Sequence, residues 1–227
     1  MELSQALTHR GEQEIIPGME RLCLASTSPR RIELLLDQGF SFDCISPEID
    51  ESLRDCLEPA QRVLALSEDK ARAVASSRSS LAHDFILAAD TLVCLPRAAP
   101  KGAELALGKP RDLEDARRMI RLLSGASHIV RTGVSVLACN SGELFSARSD
   151  STVSFAPMSD FEIDAYLSAG EWEGVAGGYR IQGRAAFYID SLEGSWSGVV
   201  GLPIHEVYVI LLRAGYRYPP VKADTGR

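Results

Sequence analysis

The sequence predicts an α/β fold built on a mixed β-sheet, and three observations carry that expectation. Short β-like runs alternate with helix-patterned stretches along the chain. Residues 85–95 are almost continuously apolar over strand length, the pattern of a strand covered on both faces, broken only by Asp90 and Thr91. Two strand-like stretches at 128–138 and 143–155 flank the turn Cys139-Asn140-Ser141-Gly142, a hairpin that adds antiparallel pairing.

The elements follow in order. Residues 21–25 read as a short apolar strand, and 29–38 as a helix with Ile32, Leu35 and Leu36 on one face and Gly39 as its stop. A second strand at 40–45 leads into an acidic loop through Pro47, Asp50 and Glu51, then a long helix from Pro59 to about Ala75. After the buried strand comes a loop at 96–102. Residues 112–123 form an amphipathic helix with Leu113, Ala116, Ile120 and Leu123 inward and acidic residues in its first turn, where the helix dipole favours them. Beyond the hairpin, a helix at 160–168, a glycine-rich loop at 170–183, a strand at 185–192 and a closing helix at 203–214 complete the chain. There is no internal repeat and no long linker, so the expected division is an N-terminal extension over 1–20, one domain over 21–216 and a tail over 217–227.

Composition removes several function classes. With 227 residues, 45% hydrophobic and 24% charged, the chain has the make-up of an ordinary globular protein, and no apolar run approaches a membrane span. The first twenty residues lack an apolar signal-like core. A formal charge of -7 argues against a nucleic-acid polymer as partner, which would need a broad basic surface, whereas a small anion needs only a local basic pocket. Five widely spaced cysteines without a CxxC pair read as reduced core thiols and point to the cytoplasm. The four histidines show no metal-binding spacing.

Four places carry chemistry. Ser26-Thr27-Ser28-Pro29-Arg30-Arg31 sits on a strand-to-helix turn, with Ser28 at the N-cap position. Helix N-termini present free N–H groups to anions, and two arginines in a first turn oppose the helix dipole unless something neutralises them. A capped helix with two solvated arginines fits the same residues. Lys70 falls in the middle of an apolar helical stripe with Val63, Leu66, Ser67 and Val74, so it either snorkels past the core edge or delivers an ammonium into a cleft. Asp90, in the middle of a buried strand, must be paired, metal-bound or shifted in pKa. Glu51 beside Asp50 offers a second carboxylate on a loop.

Other segments resemble known motifs and fail on inspection. Gly108-Lys109-Pro110 lacks Walker A spacing and its Ser/Thr, although Lys109 before a helix can still meet phosphate. Gly194-Ser195-Trp196-Ser197-Gly198 has Trp196 where a nucleophilic serine belongs, which excludes a serine hydrolase. His128, Trp172 and Tyr179 fit structural roles as well as contacts to a substrate. Gln182 can read a pyrimidine edge through its amide, with one donor and one acceptor face.

Taken in order, Leu24-Ala25-Ser26-Thr27-Ser28-Pro29-Arg30-Arg31, Asp50-Glu51, Glu68-Asp69-Lys70-Ala71, Ala89-Asp90-Thr91, Gly108-Lys109-Pro110, Leu123-Ser124-Gly125 with His128, and Ile181-Gln182-Gly183 resemble the Maf family of nucleotide pyrophosphatases. The resemblance implies an elongated sheet, two lobes around a cleft, and hydrolysis of a nucleoside triphosphate to monophosphate and pyrophosphate with Mg2+ or Mn2+. It implies Asp90 as proton acceptor, Glu51 and Asp90 at the metal, and Ser26, Arg30, Arg31, Lys70 and Lys109 on phosphates. Arg30, Thr91 and Gln182 match positions tied to substrate choice, in the branch acting on dTTP, UTP and modified pyrimidine nucleotides. The partners it implies are a small nucleotide and, as a homodimer, a second copy of the chain. The family name also carries an association with restraint of cell division, which makes a nucleotide-binding regulator the alternative. Two departures stand out: Asp69 precedes the lysine where glutamate is expected, and Gly177-Gly178 replaces Gly-Ala.

Overall fold

A computed structural model describes residues 20–77, 83–96 and 104–217. The extension expected at 1–20, the loop at 96–102 and the tail at 217–227 lie outside the described residues except for Glu20, Pro96 and Arg217. The frame is one mixed sheet of β1 (Leu22–Leu24), β2 (Phe42–Cys44), β3 (Phe85–Leu95), β4 (Leu105–Leu107), β5 (Ser127–Ala138), β6 (Glu143–Phe155) and β7 (Ile189–Glu193). Its order is β2-β1-β3-β5-β6-β7, with β4 added to β3. β1 runs parallel to β2 and β3, while every pairing from β3 onward to β7 is antiparallel. Among the described residues the α-helices are α1 (Pro29–Asp37), α2 (Pro59–Ala75), α3 (Leu113–Leu123), α4 (Asp160–Ser168), α5 (Trp196–Val200) and α6 (Ile204–Arg213).

The two faces of β3 explain its apolar sequence. Ile86 and Ala88 pack in one cluster with Ala71 and Val74 of α2, and Leu92 and Cys94 join Val63 of the same helix. Leu87, Ala89 and Val93 belong to the main core, which holds Leu35 of α1, Ile120 of α3, Ile163 of α4 and Ile210 of α6. Burying a leucine as completely as Leu35 or Leu87 contributes about 1.5–3 kcal/mol, so both layers are firmly attached to this strand. α2 approaches β5 so closely that a Cβ on Gly133 would lie 2.3 Å from the Val63 carbonyl oxygen. Only glycine admits that contact.

One irregularity of the sheet creates the functional region. β1 pairs with β3 only from Phe85 to Leu87, and β4 joins the strand only from Val93 onward. Residues 88–92 of β3 therefore have no strand alongside them on that edge among the described residues. Neighbouring side chains from both faces of the sheet reach the same opening there.

Several local expectations need correction. Leu36 is exposed; the inward face of α1 is Leu34 and Leu35, with Arg31 one turn before them at the same azimuth. Leu35 and the partly buried Ile32 are inward as expected, and what apolar periodicity leaves out of this face is Leu34 and the arginine. In α3, Leu113 is half-exposed and Met119 takes the inward place instead. The strand expected at 185–192 begins as a 3-10 turn, Arg184–Phe187, and pairs only as β7. β4 and α5, at three and five residues, were too short to leave a periodic signal. The cysteines are all free, but only Cys23 and Cys94 are buried, whereas Cys44 and Cys56 are exposed.

Candidate active site

Beside the open edge of β3 lies a cleft of about 570 Å³. Its floor is an ion cluster. Lys70 projects from α2 and donates to Asp90 Oδ1 at 2.6 Å and meets Glu51 Oε1 at 2.8 Å. Lys70 and Asp90 are 7% and 6% exposed, which makes this a buried pair, while Glu51 is open to solvent at the rim. Burial pushes the Asp90 carboxyl above its usual value; the Lys70 ammonium and, at longer range, Arg31 restrain that rise, and the Glu51 charge adds to it. For Glu51, burial also works upward, but the bond and charge of Lys70, with Lys109 and Arg62 beyond, outweigh it and hold the carboxyl below its ordinary value.

Glu51 is delivered by a 3-10 turn, Glu51–Arg54, started by Asp50, whose side chain accepts from the Ser52 N–H. The other end of the turn is clamped to α2 by a two-pronged Arg54–Asp69 pair at 2.7 and 2.9 Å. The aspartate that departs from the expected motif thus holds in place the turn carrying Glu51. Lys70 is steadied from behind, where Ser67 Oγ bonds Ser135 Oγ at 2.7 Å between α2 and β5.

A second wall comes from the β1–α1 junction. Arg31 donates from Nε to the Gly201 carbonyl at 2.8 Å, and from its terminal nitrogens to Thr91 Oγ1 at 3.2 Å and Ser26 Oγ at 3.5 Å. Thr91 meets Thr132 Oγ1 at 3.0 Å, and Thr132 donates to the Gly198 carbonyl of α5 at 2.8 Å. Gly201 has φ +124, a left-handed conformation that suits glycine, and it turns its carbonyl to Arg31. Burial works to lower the Arg31 pKa, against the attraction of Asp90 and Glu51. Ser28 stands at the N-cap as expected but makes no side-chain cap bond; its N–H donates to Ser26 Oγ instead. The first turn of α1 carries no acidic residue, so nothing there competes for its N–H groups.

The third wall is the segment before β7. Gly177 and Gly178 adopt φ +70 and +71, and the Gly177 N–H donates to the Gly108 carbonyl at 3.0 Å, which straps this segment to the loop bearing Lys109. Tyr179 and Ile181 turn into the core and Gln182 is exposed at the cleft. Tyr179 Oη bonds His128 Nε2 at 2.7 Å, and burial lowers the His128 pKa to about 4, so this histidine is a neutral core residue. Trp172 donates to the Leu167 carbonyl. Tyr179 and Trp172 are both accounted for by packing.

All nine residues expected at the site line this one cleft: Ser26, Arg30, Arg31, Glu51, Lys70, Asp90, Thr91, Lys109 and Gln182. A family model described as Maf-like protein matches residues 21–214. The chain belongs to the Maf family. Relatives named dTTP/UTP pyrophosphatase include those of Treponema denticola, 38% identical over 88% of this chain and 99% of its own, and Anaeromyxobacter dehalogenans, 44% identical over 88% and 96%. A third, from Hyphomonas neptunium, is 39% identical over 89% of this chain and its own full length. Among solved structures, the Staphylococcus aureus Ham1 protein overlaps 60% of this chain and 72% of its own at 13% identity with a TM-score of 0.37, too low to argue from.

The Maf-family motifs left two cleft residues unnoticed, Arg62 and Arg180. Arg62, on α2, pairs with Asp55 at 2.5 Å. With them the cleft wall holds six cations against two carboxylates, Glu51 and Asp90, in a chain whose overall charge is -7. No sequence periodicity marks either arginine; only convergence in space does. No helix among the described residues is long and apolar enough to cross a membrane.

Proposed function

We propose that this Maf-family protein hydrolyses a nucleoside triphosphate of the dTTP/UTP class between its α and β phosphates, releasing the monophosphate and pyrophosphate. The observation that carries the reading is the surplus of four positive charges in the cleft around one buried carboxylate. A triphosphate supplies the matching negative charge, and the preorganised cations stabilise it without reorganisation during reaction. Asp90 accepts the proton of the attacking water. The water oxygen bonds the α phosphorus, the bridging bond to the β phosphate breaks, and the electron pair leaves with pyrophosphate. Lys70 is central to this step, because it keeps a carboxyl that burial pushes upward sufficiently ionised to act as base at neutral pH.

Arg31, fixed by three neutral oxygens, presents its charge in one orientation, and Ser26 and Lys109 extend the phosphate contacts. Thr91 and Gln182 also line the cleft and are the residues proposed to bear on substrate choice, with Arg30 serving phosphate binding beside them. The donor set also fits a divalent cation. Glu51 and Asp90 converge on one nitrogen and would be the two carboxylates to hold a Mg2+ ion, whose remaining ligands would come from substrate phosphate oxygens and water. When bound, such an ion polarises phosphoryl oxygens and acidifies water. The free cysteines fit a cytoplasmic enzyme.

The test is release of pyrophosphate from dTTP and UTP with Mg2+ or Mn2+. An inactive wild-type protein across a nucleotide panel would refute the reaction. Asp90→Asn should lower kcat by about 10²–10⁴ while nucleotide binding persists.

A further inference from the structure

Two arginines of the cleft, Arg30 and Arg180, stand apart from the rest. Lys70 is engaged by Glu51 and Asp90, Arg31 by three oxygens and Arg62 by Asp55. For the Arg30 and Arg180 side chains, as for Lys109, no hydrogen bond or ion pair occurs among the described residues, and Arg180 Nε, like Arg62 Nε, is buried with no acceptor. Yet the two guanidiniums are near enough to repel. Besides burial, the charge of Arg180 and then that of Arg31 lower the Arg30 pKa. A buried donor without an acceptor costs about 1–3 kcal/mol, more when charged, so its retention beside a like charge calls for a missing anion.

The position of Arg180 is not accidental to its loop. Tyr179 is extended, at φ -140 and ψ 156, and both Tyr179 and Ile181 are buried, while the intervening Arg180 is half-buried along the cleft wall that all three line. The segment cannot drift. Tyr179 is bonded to His128, Tyr166 Oη donates to the Gly178 carbonyl at 3.1 Å, and a Cβ on Gly177 would lie 2.9 Å from Val93. Through the Gly177–Gly108 bond the same strap brings Lys109 to this wall. The cleft is thereby divided: a near-neutral floor of Lys70, Glu51 and Asp90, and an uncompensated wall of Arg30, Arg180 and Lys109.

We propose that Arg180 clamps, together with Arg30, the pyrophosphate portion of the substrate, the group that leaves. This rests on the hydrolysis reading above and extends it to a residue outside the family motifs. Guanidiniums bind phosphoryl oxygens in two-pronged fashion, and a leaving group bearing several negative charges neutralises the mutual repulsion that a neutral base carbonyl would leave in place. The clamp holds that phosphate end independently of the base.

The experiment compares wild type, Arg180→Gln and Arg180→Lys in two measurements. Calorimetric binding of inorganic pyrophosphate requires no turnover, so it tests the clamp even if the proposed reaction fails; kcat/KM for dTTP, UTP and dCTP then tests it in catalysis. Arg180→Gln should weaken pyrophosphate binding by roughly ten- to hundredfold and lower kcat/KM by a similar factor for all three nucleotides, with lysine restoring part of the loss. A loss confined to dTTP and UTP with pyrophosphate binding unchanged would overturn the proposal and make Arg180 a reader of the base. Unchanged binding and turnover would overturn it as well. Matching thermal unfolding of the three proteins establishes that folding is intact, and should the glutamine variant fail to fold, Arg180→Lys and Arg180→His provide the comparison.

Discussion

Replacing Lys70 by methionine preserves the stem that packs against Leu66 and Val74 but removes the ammonium that faces Asp90 at 2.6 Å. Asp90 is then a buried carboxylate with only the more distant Arg31 to offset it. Breaking a buried pair by removing one partner costs about 3–5 kcal/mol, which for a chain of this size lowers Tm by roughly 6–20 °C at neutral pH. The cost belongs to the ionised carboxyl. Its folded pKa is raised above the unfolded one, so the folded state binds more protons in between, and the penalty, complete above the folded pKa, disappears as pH falls to the unfolded value. Thermal unfolding of wild type and Lys70→Met across pH 5–8 should therefore show a gap that narrows toward acid. Adding Asp90→Asn, which removes the stranded charge, should recover most of the stability at pH 8. A gap independent of pH, or a double variant no more stable than Lys70→Met, would refute the account of this cluster.

Other outcomes follow from the same geometry. Glu51→Gln should change stability by less than about 1 kcal/mol, because the partner of Lys70 at the rim is solvent-exposed, yet it should reduce turnover; chemical denaturation beside a pyrophosphate assay separates the two. Gly133→Ala forces a Cβ onto the Val63 carbonyl and should cost about 1–3 kcal/mol, or more if α2 cannot shift, with kcat falling as Lys70 is displaced. His128 is held neutral with a pKa of about 4, so its favourable contribution is full above pH ~6.5 and declines by about 3 kcal/mol as pH falls to about 4. His128→Gln should flatten that part of the stability profile, measured by urea unfolding at each pH.

How far the sequence could be read follows from the size of each signal. β3 and α2 are long and carry one dominant pattern, so their places were plain, and the polar residues that violate those patterns, Asp90 and Lys70, proved to face each other. The tight hairpin between β5 and β6 was equally visible in its turn residues. Arg31 hid its own place on the inward face of α1, because a half-buried guanidinium held by Gly201, Thr91 and Ser26 looks like any surface arginine in a wheel plot. Arg180 was hidden for a related reason. The glycine-rich loop is plain in composition, but the placement of Arg180 also depends on a tyrosine–histidine bond between residues 51 apart, which no local pattern shows.

The interval on β3 left uncovered between β1 and β4 has a consequence for how such an enzyme can diversify. Asp90 and Thr91 are successive residues, yet the pleat sends one toward α2 and the other toward α1 and α5. Each is buttressed mainly by its own neighbours, the first by the ion cluster with Lys70 and Glu51 and the second by a relay of hydroxyls ending on a carbonyl, with Arg31 acting on both. Under the proposed roles, substitutions around Thr91, Thr132 and α5 that leave Arg31 in place would alter substrate choice with little effect on the Asp90 side, and a change at one of two adjacent codons need not demand a compensating change at the other.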